Sequence, residues 1–186
     1  MPHSSILTPK KVFFTRGAGQ HWNRLQSFGM ALRQAGIEKC NLVRVSSILP
    51  PNCEIVSPEQ GLNDLQPGQI TFMVLAEAAT NEPNRLVGAG IGLAQPARTE
   101  QYGYISEHHG YGMPDEKLAD FVEDMAATML ATTLGIPFDP ESAYDERKEV
   151  YRMSGKIVRT RANVQTAEGD PDGRWTTVIA GAVFVM

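Results

Sequence analysis

Two segments of the chain are apolar on both of their alternating faces, and this restricts the fold more than any other feature. Ile70 to Ala79 places Ile70, Phe72, Val74 and Ala76 on one face and Met73, Leu75 and Ala79 on the other. Leu86 to Ala94 places Val87, Ala89, Ile91 and Leu93 on one face and Gly88, Gly90 and Gly92 on the other. Strand side chains alternate with period two, so a strand apolar on both faces has no face for water. Each segment must lie in a sheet covered by helices or by a second sheet. The glycine face leaves room for something to approach the backbone closely.

The remaining segments supply that cover. Lys11 to Thr15 reads as a strand closed by Gly17-Ala18-Gly19. From Trp22 the apolar residues Trp22, Leu25, Phe28, Leu32 and Ala35 recur at helical spacing, and Gly36 supplies a stop. Asn41 to Ser46 alternates as a strand, and Pro50-Pro51 ends it because neither proline donates to a ladder. Ser57 to Gly68 reads as a polar connection, and Tyr102 to His108 as a strand broken at Gly110.

The spacing predicts a long helix from Pro114 to Leu134. Its stripe is Leu118, Phe121, Val122, Met125, Met129 and Leu130, and Asp115 and Glu116 suit its positive end. Lys156 to Thr166 and Trp175 to Val185 read as two strands of a hairpin joined through Gly169-Asp170-Pro171-Asp172-Gly173. Helices separated by runs of strands give an α+β fold with a largely antiparallel sheet.

The 186 residues suit one domain, 1–186. A net charge of −4, from 17 Lys+Arg against 21 Asp+Glu, argues against sequence-independent nucleic-acid binding. Cys40 and Cys53 are too few for a disulfide framework or a four-ligand zinc site. Met1 to Leu7 lacks the basic-then-apolar order of a signal peptide, and the apolar runs, such as Val178 to Met186, are too short to span a membrane. The expectation is a cytoplasmic protein that binds neither nucleic acid nor membrane.

Several chemistries fit poorly. His108 and His109 are adjacent on a strand and point to opposite faces, so they do not readily share a metal ion; no metal is expected. Ser46 or Ser47 could serve a hydrolase, but no Gly-x-Ser-x-Gly elbow is present. Gly88-Ala-Gly90-Ile-Gly92 opens no helix, so it is not a dinucleotide loop.

Asn41-Leu-Val-Arg-Val-Ser46-Ser47-Ile-Leu-Pro50-Pro51 is more informative. As structure it is a polar strand end with a rigid turn. As chemistry, a Ser47 hydroxyl facing the Ser46 carbonyl carbon can attack it and convert the peptide to an ester. Elimination then leaves dehydroalanine, which loses ammonia to give a pyruvoyl group. The first step needs a donor beside the Ser46 carbonyl oxygen.

On these residues the sequence resembles the pyruvoyl-dependent arginine decarboxylases. The resemblance runs through Ala35-Gly-Ile37, Asn41-Leu42-Val43, Ser46-Ser47-Ile48-Leu49-Pro50-Pro51, Tyr104-Ile105-Ser106-Glu107, the helix from Asp115, and the segments Tyr151 to Gly155 and Trp175 to Ile179. It implies a four-layer αββα sandwich with largely antiparallel sheets. It implies self-cleavage between Ser46 and Ser47 into a β-chain, 1–46, and an α-chain, 47–186. The cofactor would be a covalent pyruvoyl group derived from Ser47, without PLP and without metal. The active form would be a trimer or a pair of trimers with sites between subunits.

The implied reaction is decarboxylation of L-arginine to agmatine, a step toward polyamines, through a Schiff base with the pyruvoyl group as electron sink. Glu107 matches the family's proton donor, whose carboxyl burial would raise in pKa. Asn41 matches the residue that donates to the oxyanion or positions substrate. Ser46 would line the site with its new carboxylate and hydroxyl.

The sequence departs from the family at Gly29, in Ser27-Phe28-Gly29-Met30-Ala31-Leu32, where the family carries an acid facing the substrate guanidinium. A buried guanidinium needs a paired acceptor. The departure keeps open a pyruvoyl decarboxylase of another amino acid, or an uncleaved, non-catalytic assembly subunit.

Overall fold

The computed structural model describes residues 7–186; residues 1–6, most of the Met1 to Leu7 stretch in which no signal peptide is expected, lie outside the described residues. In chain order the elements are β1 (Lys11–His21), α1 (Arg24–Gln34), β2 (Asn41–Arg44), β3 (Ile48–Leu49), β4 (Glu54–Ile55), α2 (Pro58–Asn63), β5 (Ile70–Thr80), β6 (Leu86–Pro96), β7 (Gly103–Tyr111), α3 (Asp115–Thr133), α4 (Tyr144–Met153), β8 (Ile157–Glu168) and β9 (Trp175–Val185). They form a five-stranded sheet, β2-β5-β9-β1-β4, and a four-stranded sheet, β3-β7-β6-β8. The long strands pair antiparallel throughout. Only the short edge strands β2 and β4 join parallel.

The two sheets face each other across an apolar core. Val74, Ala76, Val178 and Ala180 come from one sheet, and Val87, Ala89, Ile91 and Leu93 from the other. The opposite faces are covered by helices. α1 closes the five-stranded sheet with Ala31 and Ala35 against Phe13, Met73 and Ile179. α3 closes the four-stranded sheet through Leu118, Val122 and Leu130. The layers therefore run α, β, β, α, and both two-faced apolar strands are buried on each side. Full burial of each such leucine or valine contributes about 1.5–3 kcal/mol.

The close approach that the β6 glycines allow is made by α3. A Cβ on Gly92 would collide with the Val122 carbonyl, and Cβ atoms on Gly88 and Gly90 would press on Leu118 and Val122. α3 thus lies almost on the strand backbone. Its buried stripe is correspondingly small: Ala126, Ala127 and Ala131 accompany Leu118, Val122 and Leu130. The larger Phe121 and Met129, assigned to the stripe by spacing, are 40% and 37% exposed.

Other elements differ from expectation. β1 does not stop at its glycines but continues to His21, because Gly17 and Gly19 let α1 descend onto the strand. α1 begins at Arg24 behind an Asn23 cap, so Trp22 and Leu25 are exposed rather than part of the core. β7 runs through Gly110 to Tyr111, paired with β6. The connection after Ser57 contains α2, started by a Ser57–Gln60 capping box. α4 is an additional helix, held to α3 by polar contacts: Arg147 to Asp124, and Lys148 Nζ to Glu123 Oε1 at 2.7 Å.

The expected β8–β9 hairpin is a crossover. β8 pairs with β6, whereas β9 pairs with β1 and β5 in the other sheet. The linking turn is built around Asp170, which is 1% exposed. Its carboxylate meets Arg174 Nη2 at 2.6 Å and accepts from the Asp172 N–H at 2.9 Å. The Gly169 N–H donates to the Arg85 carbonyl at 2.8 Å, tying the turn to the β5–β6 connection. A turn held from within and from below leaves both strands free to take other neighbours.

Candidate active site

β2 is an edge of the five-stranded sheet and β3 an edge of the four-stranded sheet. The chain passes from one sheet to the other through Val45, Ser46 and Ser47. The near side is anchored where the Val45 N–H donates to the Met73 carbonyl at 3.0 Å. The far side is anchored where Ile48 and Leu49 pair with Tyr104 and Gly103. Pro50 follows at once and ends the ladder, as a residue without an N–H must.

Within the crossover, both carbonyl groups flanking the Ser47 α-carbon have donors. The Ile48 N–H donates to the Ser46 carbonyl oxygen at 3.0 Å, and the Ile105 N–H donates to the Ser47 carbonyl oxygen at 2.8 Å. The first bond spans two residues. Ser47 is not among the residues of positive φ, so this three-residue turn has the inverse γ form. Ser46 is exposed and Ser47 half-buried. Ser46 also borders an apolar cleft of about 480 Å³ walled by Val45, Phe72, Phe184 and Pro50.

Glu107 follows Ile105 by two residues on β7 and so shares its face. With Ser47 bonded opposite Ile105, the carboxylate lies on the same sheet edge, just beyond the crossover. It is exposed. The burial expected of a proton donor is therefore not provided by its own chain, because β3 is too short to cover β7 past Ile105. His109 comes next on that face and is also exposed. His108 points the other way, its ring 4.5 Å from that of Phe121, and burial followed by the His109 charge lowers its pKa. Among the described residues no three His, Cys, Asp or Glu side chains are placed to hold a metal ion.

Asn41 is not brought to this group. It opens β2, and its Nδ2 donates to the Gly68 carbonyl at 2.8 Å. At about 3.3 Å per residue the intervening strand sets it roughly 15 Å from Ser46. The donor to the Ser46 carbonyl within the chain is the Ile48 backbone instead. Gly29, on α1, faces open space: a Cβ there would meet nothing within 4 Å.

Three contributors carry no signal in the sequence. The Ile48 and Ile105 amides are backbone donors, which every residue but proline possesses. The third is Arg44, whose Nη2 meets Glu77 Oε2 at 2.5 Å and fixes the end of β2 to β5. Arg44 shares its strand face with Leu42, and only the pairing of β2 with β5 shows which acid it reaches.

The arrangement suits attack of the Ser47 hydroxyl on its own preceding carbonyl. The Ser46 oxygen is already polarised, and both sides of the bond are anchored. It does not suit a serine hydrolase: among the described residues, the histidine side chain that takes part in a hydrogen bond is His21, which accepts from the Asn23 N–H and not from either serine. No described helix is long and apolar enough to cross a membrane.

Comparison with known proteins shows the family to which the chain belongs. The sequence profile of the pyruvoyl-dependent arginine decarboxylases matches residues 11–186. A protein of Chloroherpeton thalassium named as a probable pyruvoyl-dependent arginine decarboxylase is 59% identical over 177 residues, covering 95% of this chain and 97% of the relative. A Chlorobaculum tepidum protein of the same name is 58% identical with the same coverage. Pyruvoyl-dependent arginine decarboxylase 2 of Methanosarcina mazei is 56% identical over 179 residues, covering 96% and 98%. With residues 11–186 matched, the chain belongs to the pyruvoyl-dependent arginine decarboxylase family.

Proposed function

We propose that this protein cleaves itself between Ser46 and Ser47 and, once cleaved, decarboxylates arginine to agmatine and carbon dioxide. Family membership carries the reaction. The observation supporting the cleavage point is the crossover itself, where the Ser46 carbonyl accepts from Ile48 and the Ser47 carbonyl from Ile105.

The chemistry balances without an added reagent except water. The Ser47 Oγ bonds to the Ser46 carbonyl carbon, the peptide C–N bond breaks, and the hydroxyl proton ends on the freed nitrogen. Loss of the Ser47 α-proton and breakage of the Cβ–O bond then release a Ser46 carboxylate. The resulting dehydroalanine tautomerises to an imine, and water replaces its nitrogen, releasing ammonia. Residues 1–46 and 47–186 become two chains. Val45 remains bonded to Met73 and Ile48 to β7, so both new ends stay in place.

When formed, the pyruvoyl group supplies a carbonyl for the substrate amine and an electron sink for the bond to the departing carboxylate. The residues around Ser47 fit it, because the carbonyl that stays beside it is held by Ile105. Glu107 holds the proton that takes the carboxylate's place on the substrate α-carbon. It needs cover to keep that proton, and a second copy of the chain over the free edge of β7 supplies it. A trimer, or a pair of trimers, with sites between copies accounts for both the exposed Glu107 and the distant Asn41, which then serves across the boundary. A cytoplasmic location belongs to the same proposal, two cysteines being too few for the disulfide framework of a small secreted domain.

Gly29 supports a second reading, in which another amino acid is decarboxylated. Mass spectrometry of the denatured protein tests the first claim: two chains meeting at Ser46 and Ser47, the larger with a reducible keto group. Release of carbon dioxide from arginine, against a panel of amino acids, tests the second. A single intact chain after long incubation would favour a non-catalytic assembly subunit.

A further inference from the structure

We infer that two backbone amides divide the self-cleavage between them: the Ile48 N–H serves ester formation and the Ile105 N–H serves elimination. This rests on the self-cleavage proposed above and assigns a donor to each of its steps.

The two steps place negative charge on different oxygens. Attack of the Ser47 hydroxyl makes the Ser46 carbonyl carbon tetrahedral, and the charge develops on the Ser46 oxygen. That oxygen accepts from the Ile48 N–H at 3.0 Å. Elimination removes the Ser47 α-proton, and the electron pair left behind delocalises into the Ser47 carbonyl. That oxygen accepts from the Ile105 N–H at 2.8 Å. A donor already aimed at the atom where charge appears stabilises the transition state without reorganising. Neither donor serves both steps, because each bonds a different carbonyl.

The fold explains why both are in place. The inverse γ form at Ser47 brings the Ile48 N–H back onto the Ser46 oxygen, and the β3–β7 register sets Ile105 opposite Ser47. Asn41 is absent from this part of the reaction. Its amide is on Gly68, far along β2.

The test replaces one backbone N–H at a time by oxygen, using the α-hydroxy analogue of isoleucine at position 48 or 105 of the full chain. Processing is followed by mass spectrometry with and without hydroxylamine. Hydroxylamine cleaves a Ser46–Ser47 ester to residues 1–46 as the hydroxamate and 47–186 with an amino-terminal serine. The introduced ester breaks at a different bond and is distinguished by mass.

With the donor of residue 48 removed, processing should slow about a hundredfold, with no trappable Ser46–Ser47 ester. With the donor of residue 105 removed, that ester should form, be trapped in greater amount than in the parent, and convert slowly to the keto chain. Equal slowing of both, which general loosening of the crossover would cause, overturns the division. So does parental speed in either, or trapped ester in the position 48 variant. A parent chain that never cleaves refutes the self-cleavage itself, and is told apart by its intact mass.

Discussion

Ser47 and Ile105 are joined by a 2.8 Å hydrogen bond from the Ile105 N–H to the Ser47 carbonyl oxygen. This one bond sets the register of the site. It places the cleavage point on the edge of the four-stranded sheet and leaves Glu107 two residues further along the same face.

Glu107→Gln should therefore separate the two activities. The amide keeps the shape of the side chain but carries no transferable acid proton. Self-cleavage uses the crossover alone and should reach completion. Arginine decarboxylation should fall about 10²- to 10⁴-fold, the usual worth of a positioned general acid. Mass spectrometry reads the first and carbon dioxide release the second. Loss of cleavage in this variant would assign Glu107 to processing instead.

Gly92→Ala should be severely destabilising. Its methyl group would meet the Val122 carbonyl and the Ser106 hydroxyl, and that hydroxyl donates to the same carbonyl at 2.5 Å. Backbone cannot step aside as a side-chain end can, so α3 must lift from β6. Overpacking of this kind costs about 1–3 kcal/mol, read as a lowered Tm. Gly110→Ala is the control, since its Cβ would meet only the His108 ring at 3.6 Å.

The glycine pattern shows how far the sequence alone could go. Gly88, Gly90 and Gly92 on one face announce a close neighbour, and the helix that fills the space is legible from its own periodicity. α4 was not legible, because Tyr144–Met153 buries only Tyr151 and is held by ions, Arg147 to Asp124 and Lys148 to Glu123. Such pairs leave no apolar stripe to read. The β8–β9 crossover was hidden for a different reason. A short Gly-Asp-Pro-Asp-Gly turn between two strands has the composition of a hairpin, and the choice of other neighbours is made by pairing far along the chain. At the site, Ser46, Ser47 and Glu107 were legible as residue types. The donors were not, since Ile48 and Ile105 act through backbone that every sequence contains.

The turn at Asp170 should make stability depend on acid. The hydrogen bond from Arg174, with the amides of Asp172 and Arg174, holds this carboxyl below the usual carboxylate range. A group whose pKa is lower folded than unfolded stabilises the fold above its unfolded pKa of about 3.9. That stability is lost as the pH falls through the folded value. Asp170→Asn should accordingly be less stable than the parent at neutral pH. The gap should hold down to about pH 4 and close below it. Denaturant melts between neutral pH and strong acid read the difference, and a gap independent of pH would refute the assignment.

The two cysteines should differ in reactivity. Cys53 is buried in the inter-sheet core, and burial pushes its thiol up to about 11. At mildly alkaline pH it is almost wholly protonated, and the thiolate is the nucleophile. Cys40 is half-buried at the entry to β2. A thiol reagent added to the native protein should therefore label Cys40 alone, and peptide mapping identifies the site. Labelling of both would appear only after denaturation.

Gly29 offers a test of stability and of substrate recognition at one position. It lies inside α1, its φ is not positive, and a Cβ there meets nothing within 4 Å. Alanine in place of glycine inside a helix gains about 1 kcal/mol where the space is open. Gly29→Ala should raise Tm by about 2–4 °C for a chain of this size. Gly29→Asp fits the same space and restores a carboxylate where the family carries one. It should lower KM for arginine and leave kcat nearly unchanged, because the guanidinium lies far from the bonds that change and its pairing acts on ground state and transition state alike. An unchanged KM would mean that another acid already receives the guanidinium. A KM lowered for arginine and not for uncharged amino acids would make position 29 a determinant of specificity, with glycine the permissive form.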